Sequence, residues 1–298
     1  MTKQQPTIGF IGLGAMGGPM VRNLVAAGYP VSSFDLDQAR LAAAVNAGAQ
    51  AADTIAGLVA EVDIVMTSLP SSHTFIVVAE RDLLPHVRSG QTIIDFGTTS
   101  LPKTRELAAA FATKGVDFID APVSGGPSGV EQHQLYLFLG GEKVVVDRHM
   151  DLFIAIGGPD RITHCGAVGA GQAVKGVNQL MMGLGNAAYL EALAFGVNAG
   201  VDAAVIKEAL GNTGRWRADL HSTAGQIVDG KGETVGVKFR ELPYFLAAAE
   251  ALGFPLPLTE HLYNICDEGE RVVIDDNRPA PSFWRELTQI SATPTNNG

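Results

Sequence analysis

Gln172, Asn178 and Gln179 stand three or four positions from Lys175 in an otherwise apolar run containing Ala173, Val174, Val177, Leu180, Met181 and Leu184. On a helix, these four polar side chains share one stripe. A polar stripe on an apolar helix has to meet something polar, either a buried network or a ligand. A lysine placed there can do acid–base work, because partial burial disfavours the ammonium and moves its titration toward neutrality. As ammonium it would protonate a carbonyl oxygen while hydride reaches the carbon, and as amine it would take the alcohol proton in reverse. The plainer alternative is a lysine whose stem lies on the helix while its head reaches water.

A second constellation is Asp120-Ala121-Pro122-Val123-Ser124-Gly125-Gly126-Pro127, at the C-terminal end of a predicted strand. Ligands of open α/β sheets bind at such ends. Ser124 offers a hydroxyl, and Gly125 and Gly126 offer bare N–H groups as a small anion nest suited to a carboxylate. A type II turn enforced by Pro127 accounts for the same residues equally well.

The third is Gly12-Leu13-Gly14-Ala15-Met16-Gly17, between the β-prone run Thr7 to Ile11 and a helical repeat of Met20, Val21, Leu24 and Val25. Gly12 permits a tight turn, Gly14 a close backbone approach to a pyrophosphate, and Gly17 close helix–strand packing. The helix start then faces the phosphate charge. A second strand, Tyr29 to Phe34, ends in Asp35. That carboxylate suits the ribose hydroxyls of NAD and would repel a 2′-phosphate, and Leu36 puts no arginine beside it. An ordinary turn aspartate is the alternative reading.

These groups need a scaffold. Predicted strands at Asp63 to Leu69, Gln91 to Phe96, Val116 to Asp120 and Leu135 to Leu139 alternate with helices such as Thr104 to Thr113 and Lys143 to Phe153. Such alternation predicts a doubly wound, mostly parallel α/β sheet with helices on both faces. From Gly169 onward the strand signal fades into helices over Gln172 to Asn198, Asp202 to Leu210, Pro243 to Leu252 and Leu258 to Val273. Glycines 166, 169 and 171 mark a boundary, giving a dinucleotide-binding domain over 1–168 and an all-α substrate and oligomerisation domain over 169–298, joined by the long helix. In the Pro-containing tail, Phe283, Trp284 and Leu287 are candidates to dock on the body.

The bulk numbers agree. With 298 residues, 46% hydrophobic and 17% charged, the chain reads as two globular domains. A net charge of −10 argues against nucleic-acid and membrane surfaces. Cys165 and Cys266 are too few for a disulfide framework, and the seven histidines show no ligand spacing, so no metal site is expected. His73, His86 and His149 read as surface residues. Met1 to Pro6 shows no signal-peptide pattern and no apolar window reads as an uninterrupted membrane span, so the expected location is cytoplasmic.

Together the blocks Gly9 to Gly17, Asp120 to Gly126 and Gly169-Ala170-Gly171-Gln172 leading to Lys175 resemble the β-hydroxyacid dehydrogenase family, from about Thr7 to Val273. That family includes 3-hydroxyisobutyrate dehydrogenase, tartronate semialdehyde reductase and L-threonate dehydrogenase. The resemblance implies a Rossmann-type domain in which the glycine loop and Asp35 hold NAD, with Leu69, Pro70 and Thr98 lining the nicotinamide side. It also implies that Ser124, Gly125 and Gly126 grip a substrate carboxylate, that Lys175 is the acid/base, and that Asn178 and Gln179 orient lysine and substrate. The family commonly carries two asparagines at those last two positions, and Asn178 with Gln179 looks like the tartronate semialdehyde and threonate branch. Where the family shows Lys-Asp-Leu, this chain has Arg240-Glu241-Leu242, with Arg240 the candidate contact to the substrate, and His133 stands at a family glycine. Arg215, Trp216, Arg217 and His221 read as a basic loop, either solvated, in a subunit contact, or ready for a second anionic group.

The expectation is an NAD-dependent oxidoreductase interconverting a short 3-hydroxy acid and its semialdehyde, as a homodimer or homotetramer, with neither nucleic acid nor membrane as partner. A non-catalytic dinucleotide-binding sensor on the same scaffold is the rival reading.

Overall fold

The computed structural model describes residues 5–230 and 241–266. Contacts divide the chain into two units, Met1–Gly176 and Val177–Gly298. The first unit runs β1 (Ile8–Ile11), α1 (Gly17–Ala26), β2 (Val31–Phe34), α2 (Gln38–Asn46), β3 (Gln50–Ala51), α3 (Ile55–Glu61), β4 (Ile64–Thr67) and α4 (Ser72–Val78). It continues through β5 (Thr92–Asp95), α5 (Leu101–Ala112), β6 (Asp117–Asp120), β7 (Val123–Ser124), α6 (Gly126–Glu131) and β8 (Tyr136–Gly140). Then come α7 (Lys143–Arg148), α8 (Met150–Gly157), β9 (Ile162–Gly166) and α9 (Ala170–Asn198), which runs on into the second unit.

The strands form one sheet in the order β3-β2-β1-β4-β5-β6-β8-β7, with β9 beside β8. Pairing is parallel from β3 across to β6, and β8 is antiparallel to both β6 and β7. Because β1 lies between β2 and β4, the chain leaves its ends in opposite directions, opening the crevice where such sheets bind ligands. The central strands β1, β4 and β5 are buried along their whole length, as expected where helices cover both faces. Alternate side chains feed two cores, Phe10, Met66 and Ile94 with Met20, Leu24 and Phe153 on one face, and Val65 and Ile93 with Leu58, Phe75 and Phe111 on the other.

Local chemistry sets the helix starts. Asp37 accepts N–H bonds from Ala39 and Arg40, Thr54 from Gly57, and Ser71 from Thr74. Pro102 sits in the first turn of α5, so this helix begins before the proline, where a missing N–H costs nothing. The run Lys143 to Phe153, read from sequence as one helix, breaks at His149 into α7 and α8. That break corrects the surface reading of His149, which is only 7% exposed. Its Nε2 meets Thr92 Oγ1 at 3.0 Å, and burial, with Arg148 nearby, pulls its pKa down to about 4. Charged neighbours at 147, 148 and 151 hid that inward turn. The short strands β3, β7 and β9 were not expected either.

His133 adopts φ 53, the left-handed region, which explains why a glycine stands there in the resembled family. In the second unit, α10 (Ala203–Leu210), α11 (Arg215–Val228), α12 (Leu242–Leu252) and α13 (Pro257–Cys266) surround a core of Leu190, Leu193, Leu220, Ala224, Ile227, Leu242 and Leu262. Arg215 to His221 therefore lie on a helix rather than a loop. The continuation of the last predicted helix to Val273, and Phe283, Trp284 and Leu287, lie outside the described residues.

One further correction concerns α9. At 29 residues, with a mean hydropathy of 1.3 in its most apolar window, it is long and apolar enough to cross a membrane by length and composition. Gly176, Gly183 and Gly185 do not break the helix. Val177, Met181 and Phe195 are exposed, so the apolar run around Lys175 is no mark of burial on all sides.

Candidate functional site

The residues with chemistry gather at the C-terminal edge of the sheet. At its head, β1 turns at Gly12 (φ 94), where a Cβ would strike the carbonyl oxygen of Ser68. At Gly17 a Cβ would strike the carbonyl of Gly12, so the helix can follow the turn this closely only with glycine. Gly14 differs, since a Cβ there would meet only Arg40 Nη1, at 3.7 Å. Leu13 is buried, Ala15 is open on the surface, and Gly14 and Met16 are half-buried. No side chain caps α1 and no acidic residue sits in its first turn, which leaves a helix end free to receive an anion.

Asp35, just after β2, accepts the Leu13 N–H on Oδ2 at 2.6 Å and the Asp37 N–H on Oδ1 at 2.8 Å. The carboxylate is thus tied to the glycine loop, and each oxygen keeps lone-pair capacity for hydroxyl donors. A turn too tight for any Cβ, an uncapped helix start and an oriented acceptor fit a dinucleotide. Leu69 and Pro70 follow β4, and Thr98 follows β5, on the same edge.

The anion-nest candidates follow β6. Val123 and Ser124 form β7, antiparallel to β8 through Leu137 and Tyr136. Gly125 (φ 127) and Gly126 (φ 64) are both left-handed, a conformation that L side chains resist. Pro127 falls in the first turn of α6, so the proline opens a helix here rather than enforcing an isolated turn.

Lys175 is 7% exposed, and its Nζ donates to the carbonyl oxygen of Val123 at 2.7 Å. The ammonium is therefore held at the residue that precedes Ser124, not spread toward water. Gln172, one turn earlier, is 4% exposed. Its Oε1 accepts the Thr99 N–H at 3.0 Å and its Nε2 donates to the Gly97 carbonyl at 2.9 Å. Thr98 sits between those two anchored residues.

Two buried carboxylates beneath this edge escaped sequence reasoning as site residues. Asp95 and Asp120 are register partners at the ends of β5 and β6. Asp95 accepts from Thr67 Oγ1, Thr99 Oγ1 and the Gly97 N–H, yet burial still pushes its pKa up. Asp120 accepts the Gly169 N–H at 2.7 Å and the Gln172 N–H at 2.9 Å. Burial raises it to about 6 against the lowering effect of those two bonds. The available signal was an acidic residue ending each of two apolar strands.

In the second unit, the side-chain amides of Asn178 and Gln179 are linked. Asn178 Nδ2 donates to Gln179 Oε1 at 3.3 Å, and Gln179 Nε2 donates to Glu241 Oε1 at 2.9 Å. Glu241, noted in sequence only as a departure, thus orients the Gln179 amide from the N-cap of α12. Arg240 lies outside the described residues. Arg215, Trp216 and Arg217 are exposed on the first turn of α11, with the Arg217 guanidinium carbon 4.5 Å from the Trp216 ring centroid. No group of three or more metal-ligating side chains occurs among the described residues.

Known families cover both units of the chain. Residues 7–169 match the NAD binding domain of 6-phosphogluconate dehydrogenase, and residues 169–277 match the NAD-binding domain of NADP-dependent 3-hydroxyisobutyrate dehydrogenase. The chain is 34% identical over 294 residues to 2-(hydroxymethyl)glutarate dehydrogenase of Eubacterium barkeri, covering 96% of this chain and 97% of that protein. It is 34% identical over 263 residues to 3-hydroxyisobutyrate dehydrogenase of Pseudomonas aeruginosa, covering 84% and 88%. Among solved structures, 3-hydroxyisobutyrate dehydrogenase of Mycobacterium tuberculosis with L-serine superimposes with a TM-score of 0.73 at 28% identity, over 88% of this chain and 92% of that one. The chain belongs to the β-hydroxyacid dehydrogenase family.

Proposed function

We propose that this protein interconverts a short 3-hydroxy acid and its semialdehyde, with Lys175 as the acid/base. Family membership makes it an NAD(P)-dependent oxidoreductase acting on CH–OH. The observation that carries the finer reading is the buried Lys175 ammonium, held on the Val123 carbonyl beside the Ser124–Gly126 turn. A carboxylate seated on Ser124, Gly125 and Gly126 would bring its third carbon toward that amine.

The bound dinucleotide would supply a hydride acceptor or donor. Gly12 to Gly17 would hold its pyrophosphate, with Leu69, Pro70 and Thr98 on the nicotinamide side. Asp35 supports NAD over NADP, since a carboxylate fixed on the Leu13 N–H favours two ribose hydroxyls and repels a phosphate. Lys175 would hold the proton that the alkoxide needs, or receive it in the oxidative direction. Asn178 and Gln179 follow on the same stripe of α9, their amides set by Glu241, and would orient the hydroxyl. Arg240 is proposed as a further substrate contact.

In this reading 1–168 hold the dinucleotide and 169–298 supply the substrate and subunit contacts. A homodimer or homotetramer is supported by the exposed apolar residues Val177, Met181 and Phe195 on α9. The same helix carries buried Gln172, Lys175 and Gln179, a poor composition for facing lipid, which supports a cytoplasmic enzyme. The test is NAD reduction with a panel of 3-hydroxy acids, comparing wild type with Lys175→Ala. Turnover by wild type and a loss of 10²-fold or more in the variant are expected, within the usual range for a general acid–base group. Tight NAD binding with no turnover by either would favour the non-catalytic sensor.

A further inference from the structure

Asp120 links the end of β6 to the start of α9 through one carboxylate. Its main chain leads through Ala121 and Pro122 to Val123, whose carbonyl holds the Lys175 ammonium. Its side chain meanwhile reaches the start of α9. Gly169 accepts the first helical bond, from the Ala173 N–H, and so acts as N-cap. The Gly169 N–H goes to Asp120 Oδ1 and the Gln172 N–H, at the third helical position, goes to Oδ2. A capping box normally satisfies donors at these two positions from within the helix. Here one residue 49 and 52 positions earlier in the chain satisfies both.

The space for this is built in. A Cβ on Gly140 would collide with the Asp120 carboxylate, and one on Gly171 would collide with the Phe138 carbonyl and lie 2.8 Å from Asp120 Oδ2. Two glycines thus let β8 and α9 close on a carboxylate that is 0% exposed. Gln172 then extends the link sideways, holding Gly97 and Thr99 on either side of Thr98. Four hydrogen bonds therefore converge on the start of α9, the segment that presents Lys175.

We propose that Asp120 and Gln172 are positioning residues for Lys175, fixing the rotation and height of α9 so that the amine stands at the Val123 carbonyl with loop 97–99 in register beside it. The inference rests on the reading of Lys175 as acid/base. Loss of the Asp120 charge would remove one acceptor from a pair of N–H groups that have no other side-chain partner among the described residues, and the helix start would shift. The titratable groups that interact with Asp120 through their charge are Asp95 on β5 and Cys165 on β9. His164 Nε2 is engaged with the Gly141 carbonyl, and burial with the Asp120 charge pushes the Cys165 thiol up, away from neutrality. Asp95 is likewise pushed up by burial. Asp120, at about 6, would therefore shape the acid limb of the activity profile.

The test compares Asp120→Asn, Gln172→Met and Lys175→Ala with wild type, using the panel acid that wild type turns over fastest. In both positioning variants kcat should fall at least tenfold while KM for NAD stays within threefold. The limb near pH 6 should vanish in Asp120→Asn and persist in Gln172→Met. Amide exchange at Gly169 and Gln172 should quicken at least tenfold in Asp120→Asn, a readout independent of turnover. A fall smaller than tenfold in the folded variants, with Lys175→Ala inactive, overturns the positioning role and leaves the acid/base reading standing. A KM for NAD that rises as steeply as kcat falls also overturns it, showing general disruption of the crevice. If Lys175→Ala keeps full turnover, the acid/base reading itself fails. Should Asp120→Asn not fold, Gln172→Met carries the kcat and KM comparison.

Discussion

Replacing Asp120 by asparagine should change how stability depends on pH, by an amount the structure sets. The carboxyl moves from an ordinary 3.8 to about 6 on folding, and each pH unit of displacement is worth about 1.4 kcal/mol. The folded chain binds this proton more tightly than the unfolded one. Its stabilising contribution is therefore full below the unfolded value, and about 3 kcal/mol is lost as pH rises through the folded value. His149 acts in the opposite sense. Its pKa falls from 6.5 to about 4, so its contribution is full above 6.5 and about 3 kcal/mol is lost as pH falls toward 4. The two windows overlap, and wild type should show little net slope from these groups between pH 4 and 7. Asp120→Asn removes one side of the balance. Denaturant unfolding of both proteins at pH 4 and pH 7.5, followed by circular dichroism, isolates the effect as a difference. Relative to wild type, the variant should gain about 2.5 kcal/mol on going from the lower to the higher pH. A wild-type-minus-variant difference constant with pH would refute the buried, raised carboxyl.

Three further outcomes follow from the backbone and the loop. His133→Gly relieves a left-handed non-glycine residue (φ 53) and should raise stability by roughly 1 kcal/mol, read as an increase in Tm; a lower Tm would mean the His133 side chain holds more than its strain costs. Gly17→Ala should unfold the loop or abolish NAD binding, because its Cβ would meet the Gly12 carbonyl, whereas Gly14→Ala should fold normally. Thermal melts followed by circular dichroism check both, and an equal loss of stability in the two variants would contradict the loop geometry. Asp35→Ser removes the charge beside the ribose while Arg40 remains close to Gly14; the kcat/KM ratio of NAD to NADP should fall at least tenfold, and an unchanged ratio would show that Asp35 does not discriminate.

Much of this molecule could be read one residue at a time. The glycine loop, Asp35 at the end of β2, the β–α alternation and the apolar periodicity of α9 are local patterns, and local sterics and hydrogen bonding act on neighbours in the chain. The resemblance to the family followed from three such blocks in order. Other features needed the folded chain. His149 looked like a surface residue because its charged neighbours face water while its own ring turns toward β5. Arg215 to His221 looked like a loop because two arginines at a helix start oppose the usual dipole preference. The ties from Asp120 to Gly169 and Gln172, from Gln172 to Gly97 and Thr99, and from Gln179 to Glu241 join residues dozens of positions apart. A buried hydrogen bond has no periodicity for a sequence to display, since its partners become neighbours only when strands and helices have packed.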